Sequence, residues 1–376
     1  MLMTVERGLL KEFFGRFRQD LEKGGVALPD AALPDDKYAG ALAMLTLAPD
    51  RLPLELNEAL HAIDDMATAE ARARLLDAVQ TTRLRLDLRQ DSSDLDLAIQ
   101  LWLRAPALFA RKHAELQTSR FCNLQYFEAV RPVNRSGRFA VPDDKTLAVM
   151  TADIDAWYAR RHKGIETTSI EVYPFEDAVL FLIRHGDTYV RAMTAERRQR
   201  QVIHYRPEKD DLVVYVPALD ELRVTAQKRG EQRLYRECFG YHLFQDLRYF
   251  SPELTFTLAP LLSEGEHVLD VHGLKGVHRI TLTEIHVDLD SSGREVNVLK
   301  SDDLFARAAK TGQELFPDGC TVTRAVFAFH LVPGEKPYAV HVCPPNKLKV
   351  AHGCDVDVVH RWLLFCKFRV VRATNP

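Results

Sequence analysis

The chain changes its pattern of hydrophobic residues near residue 119, and this change limits the folds open to it. Before that point apolar side chains recur at helical spacing, as in 4–23, where Leu9, Phe13 and Phe17 lie four residues apart. After it, short runs rich in Val, Ile, Phe and Tyr alternate with turn residues, which is typical of antiparallel strands. We therefore expect an α+β protein, with a helical N-terminal domain followed by a β-rich, mostly antiparallel or mixed-sheet C-terminal region with short helices.

Length and composition agree with a globular protein of several domains. The chain has 376 residues, which at about 150 residues per domain corresponds to about two or three domains. Hydrophobic residues make up 46% and charged residues 27%, values that exclude disordered, collagen-like and coiled-coil chains. We expect a helical domain over 1–118, an α+β subdomain with hairpins and a basic stretch over 119–250, and a β-rich α+β subdomain over 251–376.

The N-terminal segment and the spacing of the cysteines are indicators of the cellular compartment. The N-terminal segment lacks the basic start and long apolar core of a signal peptide. No apolar run reaches the roughly 18 residues that a membrane-spanning helix needs. The six cysteines are scattered rather than spaced as a disulfide framework. The sequence therefore predicts a cytoplasmic protein without a membrane partner; it indicates no cofactor and leaves the oligomeric state open.

Two segments of the β-rich region make specific structural predictions. In 278–289 the apolar residues change phase at Thr283 and Glu284. Because side chains of a regular strand alternate with a period of two, this change predicts a β-bulge or a bend. Segments 323–332 and 337–343 are apolar on both faces, so we expect their hairpin to lie in the interior of a sheet.

Several helix boundaries can also be predicted. Thr68 precedes a helical run with Glu70 in its first turn, as expected for an N-cap. The proline and the two acidic residues at 34–36 are interpreted as part of a linker. In the β-rich region, 231–239 has the pattern of a short amphipathic helix, for which Gly240 would supply the C-terminal cap.

A basic stretch with interleaved aromatic residues is the main candidate for binding. Arginine can hold phosphates with its planar guanidinium group, and flat side chains can stack on bases. Acidic residues lie between the basic ones and weaken their field, so a solvated loop and helix surface explains the same composition. The candidate residues for binding a nucleic acid or another anion are Arg191, Arg197, Arg198, Arg200, Arg206, Lys228, Arg229, Arg233 and Arg236.

A second candidate lies where an apolar run ends in Arg-His-Gly. Residues 179–188, VLFLIRHGDT, resemble the opening motif of the histidine phosphatases. The resemblance implies that His185 is the phosphorylated nucleophile and that Arg184 binds phosphate. The second His-Gly pair that this family needs would be supplied at His272. In the alternative interpretation these residues form a hairpin turn, in which Gly186 adopts a positive φ.

Four residues near the C-terminus have the chemistry of zinc ligands. His341 and Cys343 would point to one face of a strand, and His352 and Cys354 follow in a loop. Nitrogen and sulfur ligands suit zinc, but the spacing matches no standard zinc motif. Buried cysteines and turn histidines are therefore the interpretation that we adopt, with no metal site expected.

The segment between these pairs, CPPNKLKVAHG over 343–353, presents two lysines on a stiff loop. Its prolines force an extended exit from the strand, so Lys347 and Lys349 would project from a rigid frame. Such a loop could contact a partner, or it could simply connect a sheet to a helix.

Together these features favour a protein that works by binding. No phosphate-binding P-loop, dinucleotide-binding glycine motif or serine-hydrolase elbow occurs in the sequence. We expect a non-enzymatic binding, sensing or scaffold subunit that contacts a nucleic acid or a protein partner through the basic surface over 189–236. The alternative is a phosphoryl-transfer enzyme of the histidine-phosphatase type that uses His185.

Overall fold

The chain divides into two compact units, Met1–Arg120 and Phe121–Pro376, each with its own apolar core. A computed structural model describes residues 4–23, 32–47, 52–89, 92–120, 123–130, 139–196, 199–253, 255–290, 295–331 and 335–370. Within these ranges, none of the helices has the length and hydropathy needed to cross a membrane.

Helices are the only regular secondary structure in the described residues of the first unit. Its helices are α1 (Arg7–Gly15), α2 (Arg18–Lys23), α3 (Asp35–Leu47), α4 (Leu54–Met66), α5 (Ala69–Thr82), α6 (Asp94–Arg104) and α7 (Pro106–Arg120). Helix α6 is central, because α1, α4, α5 and α7 all pack against it. It is therefore buried on nearly every side, including the polar residue Gln100, whose side chain bonds both backbone groups of Asp87 at 2.8 Å.

Side-chain caps fix where two of these helices begin. The hydroxyl of Thr68 accepts a hydrogen bond from the backbone N–H of Ala71, which confirms the predicted N-cap of α5. Ser93 and Asp96 form a reciprocal capping box at the start of α6. The interpretation of 34–36 as a linker is wrong, because α3 begins at Asp35. Its two acidic residues lie in the first turn, where carboxylates stabilise the helix dipole.

The second unit contains all the strands of the described chain. The strands are β1 (Asn123–Glu128), β2 (Ser169–Pro174), β3 (Val179–Gly186), β4 (Val190–Glu196), β5 (Gln199–Tyr205), β6 (Glu208–Val216), β7 (Glu221–Val224), β8 (Arg279–Asp288), β9 (Val296–Lys300), β10 (Thr321–His330), β11 (Tyr338–Cys343) and β12 (Lys347–Val350). The helices are α8 (Asp144–Ala159), α9 (Arg229–Phe244), α10 (Ala259–Glu264), α11 (Leu304–Thr311) and α12 (Val356–Phe365), with a 3₁₀ turn over Gly265–Leu269. The α+β class is therefore as the sequence predicts.

Ten of the strands form one antiparallel sheet. Its order is β2-β3-β6-β7-β1-β12-β11-β10-β8-β9. Strand β1 lies in the middle and joins β7 on one side to β12 on the other. The sheet therefore runs without interruption across residue 250, where the sequence suggests a boundary between two subdomains.

The helices of the second unit cover opposite faces of the sheet in its two halves. Phe127 of β1 belongs to the core beneath α8 and α9, whereas its neighbour Tyr126 belongs to the core beneath α12. Successive side chains of a strand point to opposite faces. The face covered by helices therefore changes at β1, and each half of the sheet leaves its other face without these helices.

Strands β4 and β5 pair only with each other and form a separate two-stranded sheet, which we call the β4–β5 ribbon. The ribbon is inserted between β3 and β6, two neighbouring strands of the main sheet. Its base is held where the backbone N–H of Asp187 donates to the carbonyl oxygen of Pro207 at 2.9 Å.

The predictions for strands 278–289 and 323–343 are confirmed. In the pairing of β8 with β10, Leu282 lies opposite Phe327 and Glu284 lies opposite Val326, so Thr283 is the extra residue of a bulge. The bulge places both Leu282 and Ile285 in the same core despite their odd spacing. Strands β10 and β11 each have a neighbour on both sides, which makes the hairpin interior.

The predicted C-terminal cap at Gly240 is wrong. Helix α9 continues through this glycine to Phe244, and Gln245 adopts the left-handed conformation that ends it. A Cβ atom at Gly240 would lie 2.6 Å from the carbonyl oxygen of Asp246. Glycine is required here because the chain after the helix folds back closely against it, not because the helix ends.

Candidate functional site

The basic residues of helix α9 form one wall of a cleft. Residues three or four positions apart share one face of a helix, and the polar face of α9 carries Arg229, Gln232, Arg233 and Arg236. The opposite face packs Leu234, Tyr235 and Phe239 into the core. The amphipathic pattern that buries one side of α9 therefore directs its arginines away from the core.

The turn between β11 and β12 forms the facing wall. Pro345 accepts hydrogen bonds at its carbonyl oxygen from the backbone N–H groups of Thr255 and Phe256, at 2.7 and 2.8 Å. The carbonyl oxygen of Asn346 accepts another from the N–H of Tyr126 at 2.8 Å. These bonds hold the turn against β1 and against the segment at 255–256, so Lys347 begins β12 from a fixed position.

Strand β1 lies beneath the cleft. Gln125 is paired with Val224 of β7 and with Lys347 of β12, and Gln125 and Phe127 line the recess. The recess has a volume of about 640 Å³. Prolines and amide side chains, among them Gln227 and Asn346, complete its surface. The site thus combines positive charge, amide hydrogen-bonding groups and flat apolar surfaces.

The electrostatic character of the cleft is one-sided. Arg229, Arg233, Arg236 and Lys347 line it, and none of the described residues in its lining is acidic. The nearest acid in contact with these cations is Glu237, with Oε1 3.5 Å from Nη2 of Arg236 and 3.8 Å from Nε of Arg233. A single carboxylate therefore faces two of the four cations.

Three of these cationic groups retain hydrogen-bonding capacity. In the part of the chain that the structure describes, the side chains of Arg229 and Lys347 have neither a hydrogen-bond nor an ion-pair partner. The Nε atom of Arg236 is buried and has no hydrogen-bond partner there. The guanidinium of Arg236 lies 6.0 Å from the ring centroid of Phe127, at the limit of a cation–π contact. The cleft is therefore suited to bind an anion.

The described groups that line the cleft are poorly suited to act as nucleophiles in covalent catalysis. Its one thiol belongs to Cys343, and burial raises the pKa of that thiol, which keeps it in the less nucleophilic neutral form. The other described lining groups are cations, amides, prolines and the Phe127 ring.

The remaining predicted anion-binding residues lie outside the cleft. Lys228 is the exposed N-cap residue of α9. Arg191 and Arg200 are exposed on the β4–β5 ribbon, whereas Arg206 at its base donates to the carbonyl oxygens of His162, at 3.0 Å, and Asp187. Arg197 and Arg198 lie outside the described residues. The structure therefore divides the basic stretch between a cleft and a ribbon.

His185, the candidate nucleophile, is completely buried in a polar cluster. Its Nδ1 donates to the carbonyl oxygen of Gly186 at 2.9 Å. Its Nε2 lies 3.1 Å from Oδ2 of Asp211 and 3.0 Å from the hydroxyl of Tyr158. The hydroxyl of Tyr235 donates to the same Asp211 oxygen at 2.8 Å.

A buried lysine joins this region to helix α9. Nζ of Lys163 lies 2.6 Å from Oε1 of Glu231, in the first turn of α9, and 3.1 Å from Oδ1 of Asp187, at the base of the ribbon. Burial alone would lower the pKa of Lys163, but its bonds to Glu231 and Asp187 outweigh burial and raise it. The charged lysine therefore ties the start of α9 to the base of the ribbon.

These positions give no support to the phosphatase interpretation. Arg184 is already paired with Glu171 and lies 3.7 Å from Asp210. The side chain of His272 is 95% exposed and contacts Asp270 in its own turn, whereas His185 is inaccessible to solvent. The chain after His185 forms a strand, not the helix that follows the motif in that family.

Gly186 does not have the positive φ that the hairpin interpretation expects. A Cβ atom there would lie 2.5 Å from both Cδ of Arg206 and the carbonyl oxygen of Lys163. The glycine is therefore needed because the base of the ribbon packs closely against the loop after α8.

The four zinc candidates are not gathered into a site. Cys354 is buried in the core beneath α12, and His352 is exposed in the turn before it. Nδ1 of His341 accepts a hydrogen bond from Arg324 at 2.9 Å. Within the described ranges no group of three or more His, Cys, Asp or Glu side chains is arranged to hold a metal ion.

Sequence reasoning did not identify Gln125 and Phe127 as part of a site. Both lie on a predicted strand, more than 100 positions before α9, and only the strand order brings them beneath it. The amide at position 125 is not a distinctive local signal, because three of the six residues of this strand are polar.

No model of a known protein family matches the sequence, and no characterised protein is significantly similar to it.

Proposed function

We propose that this protein is a non-enzymatic binding subunit that holds the sugar-phosphate backbone of a nucleic acid in the cleft between α9 and the β11–β12 turn. The observation that carries the proposal is the one-sided charge of the cleft, in which four cations and none of the described acidic residues form the lining. Two of those cations have no partner among the described residues, so a ligand would not have to break existing ion pairs to reach them.

The size and shape of the cleft favour a chain of phosphates over an isolated anion. A phosphate ion fills only a small part of a recess of about 640 Å³. The arginines of α9 are spread along two turns of the helix, from Arg229 to Arg236, which separates them by about 10 Å at 1.5 Å per residue. Successive phosphates of a single strand are separated by several ångströms, so neighbouring arginines can each contact a different phosphate.

The apolar part of the lining suits the bases of such a chain. The prolines of the β11–β12 turn present flat surfaces beside the cations, whereas Phe127 is 4% exposed and belongs to the core beneath α8 and α9. The sugars or bases of the chain can pack against these prolines. Binding of this kind is governed mainly by phosphate contacts and shows little sequence preference.

The proposal is tested by removing two exposed arginines of the cleft. Arg229→Ala/Arg233→Ala should weaken binding of a fluorescent 20-nucleotide DNA, measured by anisotropy at 0.1 M salt. Each lost phosphate contact is expected to reduce affinity on the order of tenfold, because fewer counterions are released. Neither side chain belongs to the core, so the melting temperature should be unchanged.

A matched control removes the same charge elsewhere. Lys275 and Lys310 are exposed and line neither the cleft nor the ribbon. Lys275→Ala/Lys310→Ala should therefore bind as the parent does, within about twofold, since surface charges distant from the ligand act weakly through salt. If both double variants lose affinity equally, binding follows net charge, and the cleft is not the site.

A further inference from the structure

The β4–β5 ribbon has two different faces. In its ladder, Arg191 lies opposite His204 and Met193 lies opposite Val202, and Arg200 follows on the same side opposite Ala195. Partners across a ladder share a face with the residues two positions away. All three basic residues of the described ribbon therefore lie on one face, which we call the basic face.

The other face of the ribbon carries no basic residue among the described residues, and its one acidic residue, Glu196, lies at the end of the ladder opposite Gln199. Along it, Val190 is paired with Tyr205, Ala192 with Ile203, and Thr194 with Gln201. The basic side chains are therefore confined to one face of the ladder.

The ribbon is open to a partner on its basic face. Arg191 and Arg200 are exposed and have no hydrogen-bond or ion-pair partner within the described ranges. Met193 is 56% exposed and Val202 43%, although both are apolar. Between Tyr189 and Pro207 the sequence has five arginines and a single acidic residue. An anionic partner with apolar groups of its own complements this surface.

The dimensions of the ribbon match the major groove of B-form DNA. Strands of seven residues are about 24 Å long and lie about 4.8 Å apart. The major groove of B-form DNA is about 12 Å wide and admits a two-stranded ribbon. In that groove arginine can bind guanine in a bidentate manner, and apolar side chains contact the methyl group of thymine.

Several contacts at the base of the ribbon hold it in a fixed position. Arg206 donates to two backbone carbonyls, and its guanidinium stacks 4.4 Å above the ring of Tyr189. Lys163 connects Asp187, next to this base, to Glu231 in the first turn of α9. The ribbon and the helix that lines the cleft are thus anchored through the same buried ammonium group.

We propose that the basic face of the β4–β5 ribbon enters the major groove of duplex DNA, where Arg191 and Arg200 contact base edges. This proposal rests on the proposed function, because it assumes that the cleft binds the backbone of the same nucleic acid. It specifies the ligand as B-form duplex DNA, and it adds a second surface, which contacts base edges rather than phosphates.

The test compares three probes of one sequence with the full-length protein: a 20-base-pair DNA duplex, the corresponding RNA duplex and the single DNA strand. The major groove of A-form RNA is too deep and narrow for side chains to read. We therefore expect the parent to bind the DNA duplex about tenfold or more tightly than the RNA duplex, since a single good bidentate contact can supply that discrimination.

Two ribbon variants locate the source of this preference. Arg191→Ala/Arg200→Ala should reduce the preference for the DNA duplex over the RNA duplex to within about threefold, because the contacts to base edges are lost. Its binding to the single strand, which relies on the cleft, should change less. Thr194→Ala/Gln201→Ala changes the opposite face and should keep the preference of the parent. All four side chains lie on the ribbon, outside the cores, so folding is not at risk.

The outcomes separate this proposal from the function on which it rests. If the parent binds both duplexes equally and the cleft variant weakens both, the cleft function stands and the groove proposal is overturned. The groove proposal is also overturned if Arg191→Ala/Arg200→Ala retains the preference for DNA. If the parent binds none of the three probes, the proposed function fails as well.

Discussion

His360 of α12 is a histidine that the fold holds in its neutral form. Its Nε2 lies 2.9 Å from the hydroxyl of Tyr126, which can donate to it only when that nitrogen is unprotonated. Burial, followed by the positive charges of Arg223 and Arg369, lowers the pKa of His360 to about 3. A histidine in the unfolded chain has a pKa near 6.5, so unfolding allows this residue to bind a proton.

Because the pKa of His360 differs between the folded and unfolded states, the stability of the protein depends on pH. Between about pH 6.5 and pH 3 the unfolded state binds more protons than the folded state, so the free energy of unfolding decreases as the pH falls. The contribution of one such histidine is at most about 1.4 kcal/mol per pH unit. His360→Gln should flatten the dependence, as measured by urea unfolding at intervals between pH 4 and pH 7.

His352→Gln is the control, because this exposed histidine lies in a turn and not in a core. It should leave the pH dependence as it is in the parent. His341, whose pKa is lowered to about 4 by burial and by the nearby Arg324, supplies a similar contribution that both variants retain. An unchanged slope for His360→Gln would mean that this residue is already protonated in the folded protein.

At the scale of single elements, helix α9 contributes both to the core and to the candidate site. Its apolar face closes the core over β6 and β7, and its polar face lines the cleft. Its end is fixed by a close approach, in which the backbone N–H of Asp246 donates to the carbonyl oxygen of Gly240 at 3.2 Å. Its start is held by the buried pair of Lys163 and Glu231.

The close approach at Gly240 leads to a prediction. Gly240→Ala should destabilise the protein by about 1–3 kcal/mol, because the added methyl group would collide with backbone atoms that cannot move aside as a flexible side chain could. Alanine is otherwise the better helix former by about 1 kcal/mol. The measurement is the free energy of unfolding in urea.

Gly230→Ala on the same helix is the matched control. A Cβ atom there would meet the Trp157 ring at 3.4 Å, which is an ordinary van der Waals contact. We expect this variant to be neutral or slightly stabilising. If both alanine variants were equally stable, the backbone after α9 could move away from the helix, and the position of its C-terminal end would not be fixed by Gly240.

Elements with local signals could be predicted from the sequence. The bulge at Thr283 follows from a change of phase within one strand, and the cap at Thr68 from a residue type at a helix start. The helix beginning at Asp35 was missed because proline and aspartate occur both in linkers and at helix N-termini. Gly240 resembled a helix cap because glycine is common at helix C-termini. Glycine is required at this position for another reason, which is the close contact with Asp246 beyond the helix.

At the scale of the whole molecule, strand order decides where the candidate site lies. The α+β class and the interior hairpin follow from patterns that the sequence displays. The central position of β1, which pairs with strands about 100 and 220 residues later, has no local signal. The cleft depends on that pairing, because β1 brings the arginines of α9 and Lys347 to neighbouring positions. The basic residues could therefore be predicted, but not their arrangement.

The central claim is that the cations of the cleft contact phosphates, and the dependence of affinity on salt counts such contacts directly. The parent and Arg229→Ala/Arg233→Ala/Lys347→Ala should be compared on the same DNA from 0.05 to 0.3 M salt, a range of about sixfold. Each lost phosphate contact reduces the slope of log affinity against log salt by ~0.9 on duplex DNA or ~0.7 on a single strand. The account predicts a slope that is smaller by about two to three units in the triple variant. An unchanged slope would contradict it, because the nucleic acid would then be bound elsewhere or not through its phosphates.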